Sequence, residues 1–114
     1  MNIIKIFDIS PICMSENDGT ILRSKMIMCL EKNEDILLNF ERVKLFASPF
    51  FNSSIGYIIS KYGMDVFSKK IKIEKLNSVG RSVLDLVIKN AVEFSSLDKN
   101  GQEIISEILQ KLEE

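Results

Sequence analysis

The sequence predicts a small α/β domain built on a mainly parallel sheet of three to five strands. Short segments rich in β-branched residues alternate with longer ones in which apolar residues recur at helical spacing. Such alternation is typical of crossover units with parallel strands packed against helices. With 114 residues, 46% of them hydrophobic, the chain has material for one core. We expect this domain over residues 1–97 and a C-terminal amphipathic helix over residues 98–114.

Three segments have the composition of strands. A β-branched and aromatic run predicts a first strand over Asn2–Phe7, ended by Asp8. Ile36–Phe40 is a continuous apolar run, which is typical of a central strand buried on both faces. Lys69–Glu74 alternates polar and apolar residues, and its lysines suit an edge strand because charges there oppose pairing with other chains.

Two of the predicted helices lie between the first and second strands and after the third strand. The first follows the polar turn segment Ser15–Gly19, has apolar residues at helical spacing from Ile21 to Leu30, and ends near Lys32, with either Asp18 or Ser15 as its N-cap. The later helix is capped by Asn77, and its predicted apolar stripe is broad. The stripe consists of Val79, Val83, Leu86, Val87, Asn90, Ala91 and Phe94, widened by Leu84 and Ile88.

Between them, a serine-proline pair marks the start of another helix. Ser48 is predicted as the N-cap and Pro49 as the first helical residue, where a missing N–H costs little. Gly63 is predicted to end this helix in a left-handed conformation. Because Phe51 has the spacing of a core residue, its neighbour Phe50 is expected to point about 100° away and to offer an exposed aromatic anchor.

The C-terminal segment has two alternative roles. Apolar residues recur at helical spacing over Gln102–Leu112, with acidic and amide side chains between them. This helix either packs on its own domain or pairs with a second copy, so the protein is expected to be a monomer or a homodimer.

The composition excludes several classes of function. The chain has no histidine, and hence neither the usual general base nor the commonest metal ligand. Cys13 and Cys29 lie sixteen positions apart without a metal-binding motif, and Cys29 is expected to be buried and inert. We therefore expect no enzyme activity, no cofactor and no metal.

Charge and hydropathy restrict the possible binding partners and the cellular location of the protein. Fifteen basic and sixteen acidic residues are a poor basis for nucleic-acid binding. The chain has neither a membrane-length apolar run nor a secretion signal, so a cytoplasmic protein is expected. The abundance of isoleucine, lysine and asparagine suggests an AT-rich genome, such as that of a low-GC bacterium.

One helix start has the features of a small-ligand site. Asn77, Ser78 and Arg81 lie at the beginning of a predicted helix, where free N–H groups and an arginine attract anions. These residues are the candidate anion-binding or ligand-binding site of an alternative function, the sensing of a small ligand or nucleotide.

The segment from Ile36 to Gly56 resembles the core of bacterial STAS-like proteins. It contains a buried strand that ends in a polar residue and an aromatic, then a valine, a serine and a helix that opens with phenylalanine. The resemblance implies a small α/β fold that acts by binding another protein. In STAS domains such as anti-sigma-factor antagonists, the partner is often a histidine-kinase-like ATPase that phosphorylates a serine at the start of the second helix.

The resemblance also implies which residues meet the partner. Ser48 lies at the corresponding junction, whereas Pro49 or Phe50 stands at the usual phospho-acceptor position. The candidate switch and partner-binding residues are therefore Ser48, Pro49, Phe50 and Ser53. The sequence as a whole predicts a non-catalytic bacterial regulatory module that binds a histidine-kinase-like ATPase or a similar signalling partner.

Overall fold

Three parallel strands form the sheet of the described part of the chain. The computed structural model describes residues 1–95, so the predicted helix over residues 98–114 lies outside the described residues. The strands β1 (Asn2–Lys5), β2 (Ile36–Asn39) and β3 (Ile71–Glu74) stand in the order β1-β2-β3. The predicted parallel α/β architecture, with β2 in the centre and β3 at an edge, is confirmed.

Six α-helices and one π-helical segment lie within residues 1–95. They are α1 (Ile6–Ile9), α2 (Glu16–Glu31), α3 (Ser48–Phe51), the π segment (Asn52–Gly56), α4 (Tyr57–Tyr62), α5 (Met64–Lys70) and α6 (Ser78–Ser95). The N-cap of α2 is Ser15, whose side chain accepts a hydrogen bond from the Asp18 N–H at 3.1 Å. Gly63, with φ +93°, ends α4 as predicted.

The helices cover one face of the sheet. Right-handed crossovers that step in one direction across a sheet put their helices on the same side. In β2, Ile36 and Leu38 are completely buried under the helices, whereas Leu37 and Asn39 alternate with them and are half-buried. The prediction that this strand is buried on both faces is therefore wrong.

The predicted end of the first strand and the predicted start of the third strand are wrong, because helices occupy part of both predicted strands. β1 ends at Lys5, and the next residue, Ile6, begins α1 and is completely buried. The segment after Gly63 forms α5, whose Phe67 packs into the core. Lys69 consequently belongs to α5, and β3 begins only at Ile71.

The buried stripe of α6 is narrower than predicted. Leu84, Val87 and Ala91 are buried against α4 and the π segment. Val79 and Leu86 lie on the outer side and are 57% and 56% exposed. The sequence contains more apolar residues in this helix than the described core uses.

Candidate functional site

The start of α3 is set by a backbone bridge and lies one residue earlier than predicted. The Cys13 N–H donates to the Leu45 carbonyl at 3.0 Å, and the Ala47 N–H donates to the Cys13 carbonyl at 2.9 Å. These bonds keep the chain extended as far as Ala47, which is the N-cap with φ −139° and ψ 152°. Ser48 is therefore the first helical residue, and its prediction as N-cap is wrong.

Ser48 and Pro49 lie on the surface of this junction. Both are exposed, and the Ser48 hydroxyl forms no hydrogen bond with any residue described in the structure. A hydroxyl group in this state is accessible to solvent and to another protein.

Phe50 is part of the core. The prediction of an exposed aromatic anchor is wrong, because α3 packs between α2 and α6 and the Phe50 side chain is completely buried. Its ring meets that of Phe51 edge-on, with the centroids 5.4 Å apart. A helix enclosed on two sides buries neighbouring residues that point about 100° apart.

The serines of the π segment stabilise its backbone. Ser54 is completely buried, and its hydroxyl donates to the Phe50 carbonyl at 2.8 Å. The Ser53 hydroxyl lies 3.0 Å from the Glu16 carbonyl and 3.2 Å from that of Phe50, so it links α2 to the π segment. A Cβ atom at Gly19 would overlap both Ser53 Oγ and the Phe50 carbonyl, so this close approach of two helices requires glycine.

A groove of about 620 Å³ opens where α2, the π segment, α4 and α6 meet. Its rim begins at Pro49, beside the exposed Ser48, and its floor includes Val87 and Ala91 of α6. The lining residues are Glu16, Arg23, Pro49, Asn52, Ser53, Gly56, Tyr57, Ser60, Val87, Asn90 and Ala91. π-Helical segments occur frequently at functional sites, and this one forms a wall of the groove.

A half-buried arginine lies against a tyrosine in this groove. The Arg23 guanidinium carbon is 4.4 Å from the centroid of the Tyr57 ring, and Lys61 Nζ is 5.9 Å from the same ring. Tyr57 remains 37% exposed. The arrangement is a cationic and aromatic surface, which favours anionic or carboxylate-bearing groups.

The polar groups of the groove are not paired with each other. Within residues 1–95, Arg23 forms no ion pair, and the side-chain amides of Asn52 and Asn90 form no hydrogen bond. The two amides come from different helices and line the same groove. Their donors and acceptors are therefore available to a bound molecule.

At the predicted anion site, by contrast, two of the three side chains, those of Asn77 and Arg81, are already engaged. Asn77 Oδ1 accepts from the Gly80 N–H at 2.8 Å, which confirms the predicted cap. Ser78 is exposed, and its carbonyl accepts from the Ser82 hydroxyl. Arg81 Nε lies 3.2 Å from Asp85 Oδ1. The geometry adds no support for anion binding at Asn77, Ser78 and Arg81, which stays a prediction.

Sequence reasoning missed most of the groove. Arg23 and Tyr57 are 34 positions apart and come together only through helix packing. Asn90 was assigned to a core stripe, yet it is exposed and lines the groove. Gly56, a glycine within a predicted helix, is a local signal that another element approaches closely, and Val87 of α6 lies there.

The cysteines do not resemble a reactive or metal-binding pair. Burial, together with the charge of Asp18, raises the pKa of the Cys13 thiol from 9.0 to about 12, so it stays protonated near neutral pH. Cys29 is half-buried, so its prediction as a fully buried thiol is wrong. Among the described residues, no cluster of acidic residues or cysteines could hold a metal ion, and no helix could cross a membrane.

The family of the chain follows from its central segment. Residues 18–81 match the STAS-like domain of unknown function (DUF4325). The chain belongs to this family. The match includes β2, the start of α3 and the Arg23–Tyr57 pair, and it confirms the resemblance carried by residues 36–56. STAS-like domains are generally non-catalytic. No curated protein and no solved structure matches the chain significantly.

Proposed function

We propose that this STAS-like domain is a bacterial regulatory protein-binding module, and that its partner docks over the start of α3 and into the groove beside it. The observation that carries the proposal is the set of unpaired polar groups in the groove: Arg23, Asn52 and Asn90. Arg23 is half-buried, where an unpaired polar group is costly, and Asn52 and Asn90 are exposed in the groove. A bound protein can supply hydrogen bonds to all three.

The partner should place an acidic group on Arg23. The planar guanidinium group can hold a carboxylate through two hydrogen bonds while it stays stacked on the Tyr57 ring. Lys61 adds a second positive charge near that ring. Glu16, which lies seven residues before Arg23 on the same helix, disfavours an acidic group at its end of the groove and so fixes the direction of the bound segment.

The resemblance to STAS domains supports a histidine-kinase-like ATPase as the partner and Ser48 as the residue it modifies. Ser48 offers an exposed, unbonded hydroxyl, whereas the hydroxyls of Ser53 and Ser54 are buried and hydrogen-bonded. Phosphorylation adds about 1.5 to 2 negative charges. Beside the Pro49 rim of the groove, that charge would repel the acidic group that Arg23 holds and release the partner.

Affinity measurements with paired arginine variants test the docking site. We expect a purified histidine-kinase-like ATPase from the same genome to bind the chain, and Arg23→Ala to weaken binding by about tenfold or more, because it removes a charged hydrogen bond. Arg81→Ala is the matched control, since Arg81 is exposed and already paired with Asp85. Equal affinities for both variants would contradict the groove as the docking site.

The modification has a separate test. After incubation with the ATPase and ATP, intact-mass measurement should find one phosphate on the chain, and none on Ser48→Ala. An unmodified wild-type chain, or a phosphate that persists in Ser48→Ala, would exclude Ser48 as the switch while leaving the docking measurement valid.

A further inference from the structure

The outer strand β1 has an open edge within residues 1–95. The Asn2 N–H donates to the Asp35 carbonyl at 2.8 Å, so the backbone groups of Asn2 and Ile4 face β2. Backbone groups alternate in direction along a strand, so the N–H and carbonyl groups of Ile3 face away from β2. Within residues 1–95, no strand pairs with that edge.

The centre of the β1 edge is apolar and exposed. Lysines flank both outer strands: Lys69, Lys70 and Lys72 lie in or beside β3, and Lys5 ends β1, with Lys25 and Lys32 of α2 nearby. Between these charges, Ile3 of β1 is 60% exposed, and the neighbouring Met28 of α2 is 59% exposed. Both residues line a shallow groove of about 290 Å³ along the β1 edge. A strand edge with an exposed apolar centre is a template for another strand.

We propose that a second copy of this chain pairs antiparallel with β1 and joins the two three-stranded sheets into one. The register that fits places Ile3 opposite Ile3 of the second copy. The outward N–H and carbonyl groups of the two isoleucines then exchange both hydrogen bonds, as in a closely bonded antiparallel pair. Their exposed side chains meet on the same, outer face of the joined sheet.

The charges along the β1 edge favour a second copy over an unrelated strand. Asn2 Nδ2 donates to the Glu34 carboxylate, which fixes this negative charge at the amino end of β1. Two lysines of α2 line the same groove. Because α2 runs antiparallel to β1, Lys25 lies nearer the carboxyl end, whereas Lys32, the C-cap of α2, lies nearer the amino end. A twofold axis through Ile3 reverses the strand, so it brings Lys25 of each copy towards Glu34 of the other. An unrelated strand has no reason to present both charges in this order.

This interface is separate from the docking groove. The β1 edge uses Lys25, Met28 and Lys32 of α2, whereas the docking groove uses Glu16 and Arg23 of the same helix. The dimer therefore leaves both copies of the docking groove open, and the inference does not depend on the proposed function.

Sedimentation velocity on the full chain, from micromolar to millimolar concentration, tests the dimer. We expect wild type to dimerise and Ile3→Pro to lose at least tenfold in association constant, because proline removes the central N–H donor. Ile3→Val keeps that donor and should dimerise like wild type. Since the Ile3 N–H does not bond to β2, circular dichroism should find Ile3→Pro folded. A monomeric wild type, or unchanged association of a folded Ile3→Pro, would overturn the proposal.

Cross-linking locates the contact if a variant fails to fold. The Cα atoms of a closely bonded antiparallel pair are about 5.5 Å apart, which a disulfide can span. With an added oxidant, Ile3→Cys should therefore give a disulfide-linked dimer. Leu37→Cys, on the same sheet face but in the central strand, should remain uncross-linked. Equal cross-linking of the two variants would place the contact elsewhere.

Discussion

The two strand-to-helix junctions of this domain resemble each other in sequence and differ in structure. At the junction of β3 and α6, Asn77 caps the helix and Arg81 pairs with Asp85, so the polar groups stabilise the domain itself. At the junction of β2 and α3, packing sets the geometry, and the Ser48 hydroxyl is left without a partner. A polar residue at a helix start is a better functional candidate when the fold does not already use it.

The same difference explains why mutations at the two junctions should act differently. The α3 junction depends on Phe50 in the core and on the close approach of Gly19. The α6 junction depends on one side-chain cap. Three substitutions measure how much core packing and side-chain capping contribute to the free energy of unfolding.

The largest effect is expected for Phe50→Ala. Removing a completely buried phenylalanine leaves a cavity and should lower the free energy of unfolding by about 4 kcal/mol. Urea denaturation measures the change. Leu86→Ala is the control, because Leu86 is mostly exposed and should cost much less. A loss no larger than that of the control would mean that Phe50 lies on the surface, as the sequence first indicated.

An intermediate effect is expected for Asn77→Ala. The substitution removes the acceptor for the Gly80 N–H and should lower the free energy of unfolding by about 1 kcal/mol. Asn77→Asp keeps an acceptor at this position and should retain most of the stability in the same denaturation experiment. Equal losses for the two variants would contradict a capping role.

The smallest effect is expected for Ser48→Ala. Because Ala47 is the N-cap and the Ser48 hydroxyl has no described partner, the free energy of unfolding should change by less than about 0.5 kcal/mol. Thermal denaturation of Ser48→Ala and Asn77→Ala in the same experiment compares their stability losses directly. A loss as large as that of Asn77→Ala would mean that Ser48 caps the helix after all.

The parts of the fold that depend on local sequence could be predicted. The alternation of segments predicted the parallel sheet, and Asn77 and Gly63 mark helix ends through their own backbone and side-chain chemistry. The position of Ser48 could not be predicted, since it depends on a bridge to Cys13, 35 positions away. The burial of Phe50 and the Arg23–Tyr57 contact depend likewise on how helices distant in sequence pack.

The π segment changes which side of the continuous helical stretch from Ser48 to Tyr62 faces the core. A π turn adds one residue to a helical turn, which rotates everything after it by about 100° relative to an uninterrupted α-helix. Before the segment, Phe50 and Phe51 face the core; after it, Tyr57 faces the groove while Ile58 and Ile59 are buried. One continuous run of backbone thus supplies a core anchor at its beginning and an aromatic lining for the groove further along, and the added residue sets the angle between them.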